Sequence, residues 1–185
     1  MRKLLVSDFD RTLYVNSEIS PENLAALEGW KQDGNIFAIA TGREERILRE
    51  LLCQYQLAAE YLICNNGARV VDWGGKTLFE ETIEDDTARC IVKELWQEYQ
   101  IPVDVTQKNG RFQVDSRVHG ACAIYNGICV FKTLKEFEQS LSEVLQIHVR
   151  FQDKEQTAEA ADAEVKKRAS HICRDVAECV RLAGE

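Results

Sequence analysis

Near the start of the chain, Val6-Ser-Asp-Phe-Asp-Arg-Thr-Leu13 sets two carboxylates, Asp8 and Asp10, two residues apart, with the Thr12 hydroxyl two further on. On an extended segment residues i and i+2 point the same way, so Asp8 and Asp10 can face one ligand. A cation between them would suppress their mutual repulsion, leaving one carboxylate as nucleophile and the other as acid or base. Thr12 adds a hydroxyl, and the backbone amides of residues 10–13 suit phosphate oxygens. Two later stretches carry similar chemistry. Ala40-Thr41-Gly42-Arg43 offers a hydroxyl, a flexible backbone and a guanidinium, and Asn65-Asn66-Gly67 offers two amides and a glycine. Of these, Thr12, Thr41, Gly42, Arg43 and Asn66 are candidate phosphate contacts, Asn65 a support for its turn, and Arg11 a solvent-facing residue. Taken singly, each motif is as much a turn or a cap as a site.

What positions them is a strand–helix alternation. Lys3 to Ser7 is a short apolar run bounded by charge and reads as a buried strand. Ser20 caps and Pro21 opens a helix with Leu24, Leu27 and Trp30 at helical spacing, stopped by Asp33-Gly34. Ile36 to Ala40 is a second strand, Glu44 to Tyr55 an amphipathic helix and Tyr61 to Cys64 a third strand. This βαβαβ order predicts a parallel sheet with helical crossovers, and ligands bind such sheets beyond the carboxyl ends of their strands. All three motifs fall at those ends, and their conjunction makes a site the better reading. Arg69 to Asp72 and Thr77 to Glu80 flank Trp73-Gly74-Gly75-Lys76 as a hairpin.

After Glu80 the pattern becomes α+β. The spacing predicts a helix over residues 87–99, strands over 102–107 and 111–115 around Asn109-Gly110, a helix over 134–145, and a helical tail over 158–183. The chain thus divides into three parts: a core segment over 1–81, an α+β module over 82–152, and a tail over 153–185 that returns to the core.

With 185 residues and 45% hydrophobic content, the chain has material for one domain carrying a small module. The net charge of −8 repels nucleic-acid phosphates and anionic membrane surfaces, and the apolar runs are too short to span a bilayer. The seven cysteines are irregularly spaced and never CxxC, which argues for free thiols rather than a disulfide framework or a zinc site. With no signal-peptide pattern at the N-terminus, a cytoplasmic location is expected.

DFDRTL, ATGR and ICNNGARV, in that order and at these separations, resemble the haloacid-dehalogenase superfamily, specifically its Cof-like type IIB phosphatases, from Lys3 to about Glu81. The resemblance implies a Rossmann-like core with an α+β cap inserted after the third strand. It implies Asp8 as a nucleophile that forms an aspartyl phosphate, Asp10 as general acid/base, Thr41 on the phosphoryl group, and Mg²⁺ on Asp8 and the backbone carbonyl of Asp10. The substrate class it implies is a small phosphorylated metabolite. Arg11 stands where the family has glycine. The family also has a later lysine and a GDxxND-like acidic loop, and neither occurs here; AADAEVKKRASHICRDVAECVRL resembles the family's segment on the C-terminal side of that loop. Lys154, Lys166 and Asp162 match the lost groups by residue type only. The alternative this leaves is a catalytically impaired relative that binds a ligand or a partner. A phospho-acceptor signalling domain ranks last, because its acceptor would be needed where Asn65-Asn66 lie. A missing strand would also leave the sheet edge beside Val6 exposed, and such an edge invites pairing with another copy.

Overall fold

A computed structural model describes residues 1–98, 103–115, 122–125, 128–149 and 180. The chain divides after Glu80 into two compact units.

In the first unit, β1 (Leu4–Asp8), α1 (Pro21–Gln32), β2 (Ile36–Ala40), α2 (Glu45–Gln54), β3 (Tyr61–Cys64), β4 (Arg69–Asp72) and β5 (Thr77–Glu80) succeed one another. The sheet order equals the chain order, β1-β2-β3-β4-β5. β1, β2 and β3 run parallel, β4 pairs antiparallel with β3, and β5 pairs antiparallel with β4. This is a mixed α/β sheet of Rossmann-like type rather than an all-parallel one. The reason is short connections: the three-residue turn Asn65–Gly67 joins β3 to β4, and a tight turn with Gly75 at φ +89° and its N–H on the Asp72 carbonyl joins β4 to β5, which leaves no room for crossover helices. α1 starts where Ser20 accepts from the Asn23 N–H at 3.2 Å and Pro21 takes the first helical position. It ends where Gly34 adopts φ +77°.

One face of β1 to β4 carries the core of this unit. Leu5, Phe37, Ile39, Leu62 and Val71 pack with Leu27 and Trp30 of α1 and with Leu48 and Leu52 of α2. Trp30 also donates its indole N–H to the Ile36 carbonyl at 2.9 Å, fixing α1 to the start of β2. Alternation sends Leu4 and Val6 of β1 to the other face, where they remain 59% and 47% exposed. Arg49 joins α2 to the hairpin, donating to the Asp72 and Trp73 carbonyls at 2.7 and 2.8 Å with its guanidinium over the Trp73 ring.

The second unit holds α3 (Asp85–Gln97), β6 (Val103–Gln107), β7 (Gly110–Val114), β8 (Cys122–Tyr125), β9 (Ile128–Phe131), α4 (Leu134–Ser140) and β10 (Val144–Val149). Its sheet order is β10-β6-β7-β9-β8, with only β7 and β9 parallel. Ala88, Val92, Val103, Val105, Phe137, Leu141 and Val144 form a separate core.

Here one expectation fails. The helix predicted over residues 134–145 stops at Ser140, and a strand begins at Val144. Leu134, Phe137, Leu141 and Leu145 keep helical spacing, but the end is held by groups from elsewhere. Arg89 donates to the Leu141 carbonyl, and Gln107 and Asp85 carboxamide and carboxylate oxygens accept from the Ser142 and Glu143 N–H groups. Tertiary hydrogen bonds thus override the local period. β8 and β9 carry no pattern that singled them out. The predicted tail over 158–183, the absent lysine and acidic loop, and Lys154, Asp162 and Lys166 lie outside the described residues. Val180 alone of that region is described, helical and packed against the first core. No helix among the described residues is long and apolar enough to cross a membrane.

Candidate active site

β1 ends at Asp8, which lies in register with Ala40 at the end of β2, and Ala40 in turn with Ile63 of β3. The three motifs therefore meet along one rim. Beyond β1 the chain is anchored by what it buries: Phe9 and Leu13 are fully enclosed, which turns Asp8, Asp10 and Thr12 outward. The Leu13 and Tyr14 N–H groups both donate to the Phe9 carbonyl, at 3.1 and 2.7 Å, and the Arg11 N–H donates to the Tyr14 carbonyl at 2.9 Å. This corrects one expectation. The amides of Arg11 and Leu13 close the turn and do not face a ligand.

The same turn explains the family's glycine. Arg11 sits at φ +64°, a conformation that costs a non-glycine residue about 1 kcal/mol. Its side chain is exposed, as read from the sequence.

Thr12 Oγ1 donates to Asp8 Oδ2 at 3.1 Å. Asp10 is held differently. Arg43 donates Nε to its Oδ2 at 2.9 Å and Nη2 to its Oδ1 at 2.7 Å, a two-pronged pair spanning the first and second strand ends. The Arg43 guanidinium lies 5.2 Å from the Phe9 ring centre and 5.6 Å from that of Tyr14, and these two rings stack on each other. Hydrogen bonding to Asp10 raises the Arg43 pKa further, so it stays charged at every accessible pH.

Thr41 is buried at the root of this arrangement. Its Oγ1 accepts from the Arg43 N–H at 3.2 Å, and its carbonyl accepts from the Asn66 N–H at 3.1 Å. The hydroxyl hydrogen is left to donate. The Asn65 N–H closes on the Arg43 carbonyl at 3.0 Å, so the second and third strand ends are stitched together by backbone bonds. Asn65 is buried and supports the turn, whereas Asn66, at φ +55°, carries its amide back over Gly42. A Cβ on Gly42 would lie 3.0 Å from Asn66 Oδ1, so a larger residue there would push the Asn66 amide aside. Below the rim, burial pushes the Cys64 thiol up to about 12, helped by the negative charge of Glu45.

The structure thus brings Asp8, Asp10, Thr12, Thr41, Gly42, Arg43 and Asn66 to one place. Phe9 and Tyr14, which floor Arg43, were not singled out by the sequence. An aromatic residue between two aspartates was the available signal.

Among the described residues, no three histidine, cysteine, aspartate or glutamate side chains cluster tightly enough to hold a metal ion. The oxygens at the end of β1 are nonetheless the hard donors that Mg²⁺ prefers.

A family model for haloacid dehalogenase-like hydrolases matches residues 5–177. A protein from Mycoplasma capricolum subsp. capricolum is 37% identical over 92 residues, which cover 46% of this chain and 34% of that protein. Among solved structures, a haloacid dehalogenase-like hydrolase from B. subtilis superposes with a TM-score of 0.63 at 17% identity, over 89% of this chain and 67% of that one. A phosphatase of the haloalkanoate superfamily from Bacteroides thetaiotaomicron gives 0.61 at 24% identity, over 90% and 60%. A sugar phosphatase of subclass IIB gives 0.61 at 21%, over 78% and 57%. The chain thus spans about a third of the curated relative, and 57% of the sugar phosphatase. At these identities the solved structures establish the fold. The family match over nearly the whole chain places it further: this protein belongs to the haloacid dehalogenase-like hydrolases.

Proposed function

We propose that this chain is a Mg²⁺-dependent phosphatase that hydrolyses a small phosphorylated metabolite, such as a sugar phosphate, through an aspartyl-phosphate intermediate. The observation that carries this reading is the outward-facing Asp8 carboxylate, engaged by Thr12, beside an Asp10 held by Arg43. The sugar-phosphatase relative supports the substrate class.

In the first step an Asp8 oxygen attacks phosphorus while the bond from phosphorus to the ester oxygen breaks, and Asp10 protonates that leaving oxygen. In the second, Asp10 takes a proton from water, the water oxygen attacks phosphorus, and inorganic phosphate leaves a free Asp8. Both Asp10 oxygens are bonded to Arg43. Each oxygen keeps a second lone pair, and the proton would be carried there with the pair to Arg43 intact. The Thr41 hydroxyl and the Asn66 amide would donate to the transferred phosphoryl oxygens, with Gly42 letting the backbone approach. Mg²⁺ would be held by the Asp8 carboxylate and the Asp10 carbonyl, and would offset the negative charge of the phosphoryl group.

One carboxylate and one carbonyl hold an ion that wants six oxygens poorly. Mg²⁺ affinity is therefore expected to rise when phosphate supplies another oxygen, and the coupling is reciprocal. Calorimetric titration of Mg²⁺ with and without a phosphate mimic tests the site. A panel of sugar phosphates and other small monoesters, assayed for released phosphate with Mg²⁺, tests the activity. Binding of the mimic with no turnover on any monoester would favour the ligand-binding reading instead.

A further inference from the structure

We propose that Arg43 is a positioning residue for Asp10: its fork fixes the plane of the carboxylate that carries the proton, and it acts on the reaction through Asp10 rather than by contact with the phosphoryl group. This rests on the phosphatase reading above.

Beside Thr41 and Gly42 in the sequence, Arg43 has the place of a phosphate contact, but the fold gives it another partner. Its Nε meets Asp10 Oδ2 at 2.9 Å and its Nη2 meets Oδ1 at 2.7 Å, so the two prongs fall on different oxygens. A single contact would let the carboxylate turn about its Cβ–Cγ bond, and the pair does not. Each oxygen spends one lone pair on the fork and keeps another that points away from it. Where the guanidinium lies therefore sets the direction in which Asp10 gives or takes a proton.

The guanidinium is itself fixed by the fold. Phe9, fully buried, stacks on Tyr14 with 5.1 Å between ring centres, and Arg43 lies within cation–π range of both, at 5.2 and 5.6 Å. The Arg43 backbone is tied on both sides: its N–H donates to Thr41 Oγ1 at 3.2 Å, and its carbonyl accepts from the Asn65 N–H at 3.0 Å. Phe9 stands between the two aspartates in the chain, so the ring that anchors the cation also turns both carboxylates outward. Thr12 engages Asp8 and not Asp10, so the two aspartates are oriented by different residues. The Asp10 side chain is 47% exposed, and without the fork it would sample its rotamers in water. Misplacing a proton-transferring group by about 1 Å costs up to roughly 10²-fold in rate.

Leaving groups separate positioning from phosphate binding. A sugar alkoxide needs the Asp10 proton as its ester bond breaks, whereas p-nitrophenolate leaves as a stabilised anion and needs it little. The quantity to measure is kcat/KM, which reports the steps up to that departure, on the best alkyl monoester of the panel and on p-nitrophenyl phosphate, both with Mg²⁺. Arg43→Met should lose roughly 10²-fold on the alkyl ester and less than about tenfold on p-nitrophenyl phosphate. Arg43→Lys keeps the charge without the fork and should stay impaired on the alkyl ester by about tenfold or more. In an Asp10→Asn background, Arg43→Met should cost no more than a few-fold further, because the two residues act as one unit. Calorimetric titration with inorganic phosphate should give the parent and Arg43→Met affinities within about threefold of each other. Circular dichroism checks folding, and if Arg43→Met does not fold, Arg43→Lys decides. Equal losses on the two esters, weaker phosphate binding, or a full further loss on top of Asp10→Asn would overturn the positioning role and leave the phosphatase reading in place. A parent inert toward every ester would overturn both.

Discussion

Two aspartates, one in each unit, both meet an arginine by two hydrogen bonds, yet they are built for different purposes. Asp104 on β6 is 1% exposed and takes Arg111 at 2.7 and 2.6 Å. Asp10 takes Arg43 at nearly the same distances, but its side chain remains 47% exposed. A buried carboxylate cannot exchange its partner for water without a large desolvation cost, so Asp104 is architecture. An exposed one keeps its remaining lone pairs open to water and substrate, which a proton-transferring group needs. Distance alone does not separate the two. Burial does.

The largest effect is expected at the rim. Asp8→Asn should lower phosphate release by roughly 10⁴-fold or more with the fold unchanged, since an amide is a far weaker nucleophile. Steady-state assay of the best monoester, beside a circular dichroism spectrum, checks this. Retained turnover would remove Asp8 from the chemistry. Asp10→Asn should slow turnover by roughly 10²–10⁴, the usual worth of general acid–base help. A rate within a few-fold of the parent at saturating substrate would break the contrast with Asp104 at its functional end.

The structural end is tested by stability. Arg111→Met leaves the Asp104 carboxylate buried against an apolar side chain and should cost roughly 3 kcal/mol in urea unfolding. Arg43→Met leaves Asp10 in water and should cost less than about 1 kcal/mol. Equal costs would mean that burial is not what distinguishes the pairs.

A further effect is a pH dependence confined to alkaline solution. The Cys64 thiol is raised to about 12 in the fold, so the unfolded chain loses this proton first as pH rises. The contribution is full below the ordinary thiol pKa and is lost going up toward 12, at about 1.4 kcal/mol per pH unit in that window. Cys64→Val should flatten the decline by that amount, read from unfolding at a series of pH values.

Much of the rim was legible because its signals are local. The i, i+2 aspartates, the Ser20-Pro21 start and the Gly34 stop each depend on a few neighbouring residues, and the structure keeps them. The bond between Asp10 and Arg43 joins residues 33 positions apart, and no local pattern announces it. Arg43 read as a phosphate contact, while the fold gives its guanidinium to Asp10. Thr12 was a phosphate candidate, and its hydroxyl is engaged with Asp8. The second unit was harder to read. Where its helix ends is decided by Arg89, Gln107 and Asp85, which lie on other elements.

The sheet of the first unit arranges its strands in the order they occur in the chain. Among the described strands, each therefore docks on the one made just before it, and none is threaded between two already in place. During synthesis β1 waits for β2, whose paired residues come 32 positions later, and each further strand then extends a growing platform. The hairpin of β4 and β5 closes over only a few residues and forms readily. Such a sheet can be assembled as it leaves the ribosome, with the strand bearing Asp8 first out and first to need a neighbour.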